Sequence, residues 1–175
     1  MVTAVNRPLV VLVGPPGSGK TTVGRALSER LGAPLHDTDA AIEATAGKSI
    51  SDIFVDDGEP AFRELERAEV ARALTQEPGV VALGGGAVMD PQTEAALVDH
   101  VVVFLDVAIA DASKRIGFDR SRPLLSVNPR ASWVAMMNAR RATYDRVATH
   151  RVDTAGRDPE DIAAEIAGLL EAATA

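Results

Sequence analysis

Gly14-Pro15-Pro16-Gly17-Ser18-Gly19-Lys20-Thr21 satisfies the pattern G-x-x-x-x-G-K-[ST], and the apolar run Leu9-Val10-Val11-Leu12-Val13 stands directly before it. A helical periodicity begins at Lys20, so the pattern has both the strand and the helix that it requires. Glycines let the backbone curl until consecutive N–H groups point at one phosphate, and the positive end of the following helix faces the same anion. Pro15 and Pro16 lack an N–H, but the donors that the cradle needs run from Gly17 to Thr21. Lys20 offers a point charge to the β- and γ-phosphates, and Thr21 a hydroxyl to Mg²⁺. Gly14, Pro16, Gly17, Ser18 and Gly19 complete the cradle. The spacing predicts a nucleoside triphosphate site.

Three further groups could act on what that site delivers. Asp37-Thr38-Asp39 follows a short strand-like segment, Pro34–His36. At the carboxyl end of a parallel strand Asp37 and Asp39 would point the same way, holding Mg²⁺ through water or orienting an acceptor hydroxyl. Equally, Thr38 or Asp39 would cap a helix opening at Ala40. Gly84-Gly85-Gly86 follows the strand-like Val80–Leu83, as expected where backbone approaches a ligand closely or takes a positive φ. Arg63, Arg122, Arg140 and Arg141 are the candidate anion holders. Arg63 sits among Glu64, Glu66, Arg67 and Glu69, which could equally pair along a helix surface. Trp133, Met136 and Met137, with Val134, Tyr144 and Val147, read mainly as the packing face of one helix.

The elements that must position these residues follow from periodicity. Strands are expected at Leu9–Val13, Pro34–His36, Val80–Leu83, Val101–Leu105 and His150–Asp153. Helices are expected at Lys20–Leu31, Ala61–Gln76, Pro91–Val98, Ala108–Ile116, Ala131–Val147 and Pro159–Ala172, with Pro91 and Pro159 as first-turn prolines. Strands alternating with helices predict an α/β three-layer sandwich: a five-stranded parallel sheet flanked by about eight helices. A single domain of residues 1–175 is expected, with a helix-rich insertion over about 37–73. Residues 117–130, polar and arginine-bearing with two prolines, are expected to form a lid.

Composition narrows the partners. The formal net charge of −7 argues against a nucleic-acid partner held by counterion release, so an anionic substrate needs a local basic cluster. Arginine outnumbers lysine fifteen to three, a bias that genome composition alone would also produce. With no cysteine there is neither a disulfide nor a thiolate metal site. His36, His100 and His150 show no ligand spacing. No apolar run approaches a membrane span and the N-terminus has no signal-peptide architecture, so the expectation is a cytoplasmic chain without a membrane partner.

Taken together, the ordered motifs GPPGSGKTTVGRALSERLG, DTDAAIEATAGKSISDIF, DDGEPAFRELE, LGGGAV and RPLL resemble the shikimate kinases, a family of small kinases with a P-loop NTPase fold. The resemblance runs from about Val10 to Pro159. It implies transfer of the γ-phosphoryl of ATP to the 3-hydroxyl of shikimate, with Mg²⁺, by a protein expected to act as a monomer. It also implies roles: Lys20 and Thr21 on phosphate and metal, Asp37 supporting Mg²⁺, and Asp39 binding the acceptor hydroxyl and acting as base. Arg63 would bind the substrate carboxylate with Glu66 orienting it, the backbone of Gly84, Gly85 and Gly86 would face the substrate, and Arg122 would reach the transferring phosphate from the lid. The family's R-x-P-L-Y is here Arg140-Arg141-Ala142-Thr143-Tyr144, without the Pro and Leu. Counting back from Tyr144 selects Arg140 as the second carboxylate arginine, with Arg141 left open. Arg115, Arg157 and Pro159 fall where the family contacts adenine. A kinase for gluconate or a nucleoside monophosphate, or a nucleotide-dependent regulatory module, are the competing readings.

Overall fold

The computed structural model describes residues 6–116 and 128–175. Five strands, β1 (Val10–Val13), β2 (Leu35–Asp37), β3 (Val80–Ala82), β4 (Val102–Asp106) and β5 (His150–Asp153), form one parallel sheet in the order β2-β3-β1-β4-β5. The described residues hold eight α-helices: α1 (Lys20–Leu31), α2 (Thr38–Ala46), α3 (Ile50–Asp56), α4 (Glu59–Gln76), α5 (Pro91–Ala96), α6 (Ile109–Ile116), α7 (Pro129–Val147) and α8 (Pro159–Thr174). None is long and apolar enough to cross a membrane.

The two faces of the sheet follow from side-chain alternation. Val10 and Leu12 point to one face, where they pack with Leu27 of α1 and Ile162 and Ile166 of α8. Val11 and Val13 point to the other, against Val70 of α4 and Trp133, Met137 and Tyr144 of α7. All of β1, β3 and β4 is buried, as expected of central parallel strands covered on both sides. A third, smaller core of Ile42, Ile53 and Phe62 joins α2, α3 and α4 beyond the sheet edge, where the helix-rich insertion was expected.

Register brings the motifs together. Leu12 pairs with Ala82 and Ala82 with Asp37, so the chain leaves β1, β3 and β2 at one level. The phosphate loop, the glycine triplet and Asp39 begin there, side by side.

Several boundaries move. β2 is Leu35–Asp37 rather than Pro34–His36, and α2 starts at Thr38 with Asp37 as its N-cap rather than at Ala40 with Thr38 or Asp39 as cap. The Asp37 carboxylate reaches the Asp39 and Ala40 amides from extended backbone, which is the capping geometry. α7 starts at Pro129, because Asn128 Oδ1 accepts from the Ala131 amide and Pro129 needs no N–H there. That removes residues 128–130 from the expected lid; the rest of it, with Arg122, lies outside the described residues.

Ile53 has no exposed surface and sits at the centre of the third core. Ile53→Ala is expected to cost roughly 2–5 kcal/mol, read as a lower urea midpoint for the whole chain.

Candidate active site

Five helices have a side-chain N-cap: Asp37 for α2, Ser49 for α3, Asp90 for α5, Asn128 for α7 and Asp158 for α8. α1 differs. Its N-cap is Gly19, no side chain caps it, and its first turn holds no acid. The helix that opens at Lys20 therefore presents bare amides and its positive dipole end to the loop before it, the arrangement an anion needs. Gly17 and Gly19 lie at φ 83° and 89°, the left-handed region that favours glycine, and they turn the loop around that helix end. Lys20 Nζ donates to the Gly14 and Pro15 carbonyls at 2.7 and 3.1 Å, so the lysine lies along the loop.

Asp37 serves two neighbours at once. One carboxylate oxygen accepts the α2 amides, while the other accepts from Thr21 Oγ1 at 3.0 Å. Capping and an active-site position are thus compatible in one residue. A threonine hydroxyl and one carboxylate at the end of a phosphate loop fit Mg²⁺, which keeps water and phosphate oxygens as its remaining ligands. No group of three His, Cys, Asp or Glu side chains that could hold a metal occurs among the described residues, so a metal here would depend on the nucleotide for coordination.

Asp39 occupies the centre. Its Oδ1 is buried and has no hydrogen-bond partner among the described residues. Burial pushes its carboxyl up to about 6, helped by repulsion from Asp37 and Glu66 and opposed by Lys20. Two cavities of about 380 and 490 Å³ meet at this residue. The larger contains Lys20, Thr21, Asp37 and Arg115; the smaller contains Arg63, Glu66 and Arg140 with an apolar wall that includes Phe54, Phe62 and Met136. Pro16, Asp39 and Gly85 line both.

The smaller cavity is a guanidinium pocket. Arg63 Nη1 donates to Glu66 Oε1 at 2.8 Å, and its guanidinium carbon lies 5.2 Å from the centre of the Phe62 ring. Glu66 is buried; desolvation raises its carboxyl pKa, and Arg63 and Arg140 pull it back. Arg140 is itself buried, at 9% exposure, and faces this pocket. Arg141, about 100° around the helix, forms a two-point pair with Asp106 instead, at 3.0 and 3.2 Å. Geometry thus separates two arginines that the sequence left as alternatives.

The glycine triplet is explained by space. Residues 84–86 have no left-handed φ. A Cβ on Gly84 would stand 2.5 Å from Asp39 Oδ1, one on Gly85 would stand 3.3 Å from Arg140 Nη1, and one on Gly86 would stand 2.7 Å from Arg63 Nη1. Each glycine makes room for a different polar side chain.

The outlying candidates divide. Arg115 joins the phosphate loop to the end of β5, donating to Gly17 O at 3.1 Å and to Thr154 O at 2.9 Å. Arg157 donates to Asp153 O and Glu165 Oε2, and Pro159 is the first residue of α8. Thr38, read from the sequence only as a possible helix cap, has a buried hydroxyl that accepts from the Gly84 amide at 3.2 Å and ties the aspartate motif to the glycines. Met136, grouped with core residues, lines the guanidinium pocket. His36 lies outside both cavities and meets Glu69 at 2.6 Å within a cluster completed by Arg72 and Glu77.

A parallel sheet with a phosphate loop after its central strand, and a second, arginine-lined cavity beside it, define a P-loop phosphotransferase. The sequence model described as shikimate kinase matches residues 16–171. A shikimate kinase of Thermobifida fusca is 58% identical over 96% of this chain and 98% of its own length, and one from Streptomyces avermitilis is 50% identical over 94% and 96%. Among solved structures, a shikimate kinase from Acinetobacter baumannii in complex with shikimate superposes with a TM-score of 0.90 at 34% identity, covering 95% of this chain and 93% of that one. A gluconokinase from Sinorhizobium meliloti gives 0.57 at 23% identity, with 94% of each chain covered, a likeness of fold alone. The chain belongs to the shikimate kinase family.

Two outcomes follow from this geometry. Gly84→Ala forces Asp39 to move, and a displacement of about 1 Å is expected to lower turnover about 100-fold with little loss of thermal stability. Asp39 binds its proton more tightly folded than unfolded, so the native state loses stability as pH rises from 3.8 through about 6 and keeps that penalty above it. In the nucleotide-free protein, Asp39→Asn is expected to raise the melting temperature at pH 7.5 and not near pH 4. An equal difference at both pH values would contradict a buried, proton-retaining Asp39.

Proposed function

We propose that the chain transfers the γ-phosphoryl group of ATP to the 3-hydroxyl of shikimate, giving ADP and shikimate 3-phosphate. One observation carries this reading: a buried carboxylate, one oxygen of which has no hydrogen-bond partner among the described residues, is shared by a phosphate-loop cavity and a two-arginine pocket. Membership of the family supports the acceptor, as does the solved relative in complex with shikimate.

In this mechanism Arg63 and Arg140 hold the acceptor carboxylate, and planar guanidinium groups suit it because each can donate two parallel hydrogen bonds. Glu66 keeps Arg63 in place through its buried pair. The glycine backbone closes one side of the acceptor, and Phe54 and Phe62 close another. Asp39 is ionised at neutral pH and accepts the hydroxyl proton as the oxygen takes the phosphoryl group. The amides of Gly17 to Thr21 and the Lys20 ammonium stabilise charge on the phosphate oxygens, where most of the catalysis lies. Thr21 and Asp37 would hold Mg²⁺, which supplies further neutralisation of phosphate charge. Arg122 is assigned to the transferring phosphate, and Arg115, Arg157 and Pro159 to the base of the nucleotide, on the motif resemblance. ATP as donor agrees with a cytoplasmic chain, and the monomer is an assignment on the motif resemblance alone.

ADP release is to be measured with shikimate, gluconate, each nucleoside monophosphate and no acceptor. Turnover with shikimate alone is expected; equal turnover without an acceptor would favour a nucleotide-hydrolysing module. Arg63→Ala is expected to raise KM for shikimate by about 10- to 100-fold, the worth of hydrogen bonds to a charged group. Lys20→Ala is expected instead to lower kcat by about 100-fold or more.

A further inference from the structure

Helix α7 reaches both cavities. Its Arg140 faces the guanidinium pocket, but two other residues touch the divide itself. The indole N–H of Trp133 donates to the Pro16 carbonyl at 2.9 Å, and the Tyr144 hydroxyl donates to the Gly85 carbonyl. Pro16 and Gly85 are two of the three residues lining both cavities, and a Cβ on Gly85 would lie 3.2 Å from Pro16 Cδ. Both anchors are fixed at their own ends. Trp133 is 3% exposed in the core beneath α7, and Tyr144 is fully buried and stacked on Phe104 of β4, their ring centres 5.0 Å apart.

We propose that Trp133 is a positioning residue for phosphoryl transfer: its N–H fixes the Pro16 carbonyl, and α7 thereby sets where the phosphate loop stands relative to the acceptor pocket. The inference rests on the phosphotransfer reading above. The need for such a bond follows from the loop itself. Pro15 and Pro16 have no N–H with which to make the hydrogen bonds that stiffen a turn. Within the loop, the Pro15 carbonyl accepts from Ser18 N at 3.2 Å and from Lys20 Nζ at 3.1 Å. Pro16 is secured through its carbonyl by a side chain 117 residues away. The amides that hold phosphate begin at the next residue. An error in the Pro16 peptide is therefore passed directly to Gly17 and the amides that hold the donor, whereas the acceptor pocket meets Pro16 only as part of its wall.

Trp133 is the one tryptophan in the sequence, so biosynthetic replacement of tryptophan changes this site alone. 3-Benzothienylalanine keeps the fused-ring shape and lacks the N–H; Trp133→Phe is the genetic counterpart. ADP and shikimate affinities, by calorimetry, and steady-state kinetics are compared with those of the unmodified protein. The proposal expects ADP affinity to fall about fivefold, the worth of one neutral hydrogen bond, with higher KM for ATP and lower kcat. Shikimate affinity stays within about twofold, and the melting temperature of the benzothienyl protein falls by no more than the few degrees that one lost hydrogen bond costs. Unaltered ADP affinity and kcat in the benzothienyl protein would overturn it. So would equal losses of ADP and shikimate affinity with a melting temperature lowered by more than those few degrees, the signature of a residue that only supports the core. If the unmodified protein does not phosphorylate shikimate the reaction assignment fails, while the ADP comparison still decides the role of Trp133.

Discussion

A side chain on Gly84 or Gly86 would displace Asp39 or Arg63, and one on Gly85 would press on Pro16 and Arg140, and the active site is arranged around that constraint. Asp39, Arg140 and Arg63 each approach the bare backbone of one glycine, within distances that a Cβ would occupy. The three come from different places: the start of α2, the middle of α7 and the first half of α4. They converge because β3 lies between β2 and β1, so the segment leaving it runs between the phosphate loop and the aspartate motif. Thr38 fastens that segment from one side and Tyr144 from the other.

The electrostatics follow from the same crowding. Asp39 is held out of water beside Asp37 and Glu66, which makes its ionised form costly and leaves the carboxylate basic. Glu66 would carry the same cost without Arg63 and Arg140. A carboxylate-bearing acceptor would add a negative charge facing those two arginines. Opposite sits the phosphate loop, with the N-terminus of α1 and Lys20 beside it. In the proposed reading, two anion sites with one buried base between them would join a phosphoryl group to an acid that carries a hydroxyl.

Much of this was legible in the chain, for physical reasons. The phosphate loop declares itself because glycine, lysine and threonine are needed at fixed spacing, and the strands because β-branched runs recur between helical segments. Asp37 was legible as a functional carboxylate and as part of a cap, but not as both, since one oxygen serves each purpose. Arg140 and Arg141 could not be separated, because the phase of α7 is set by how Trp133, Met137 and Tyr144 pack on the sheet. For Trp133 and Tyr144 the apolar reading was correct. Their polar tips bond to residues 117 and 59 positions away, which no local pattern encodes. His36 gave no sign of its partners for the same reason, as Glu69 lies 33 positions on.

A crystal structure of the chain with ADP, Mg²⁺ and shikimate tests the central claim, that Asp39 divides donor from acceptor, most directly. The account predicts an acceptor hydroxyl within hydrogen-bonding distance of Asp39 and directed at the phosphate loop, with the carboxylate between Arg63 and Arg140. A shikimate carboxylate directed at Lys20, or an Asp39 carboxylate turned away from the acceptor, would contradict it.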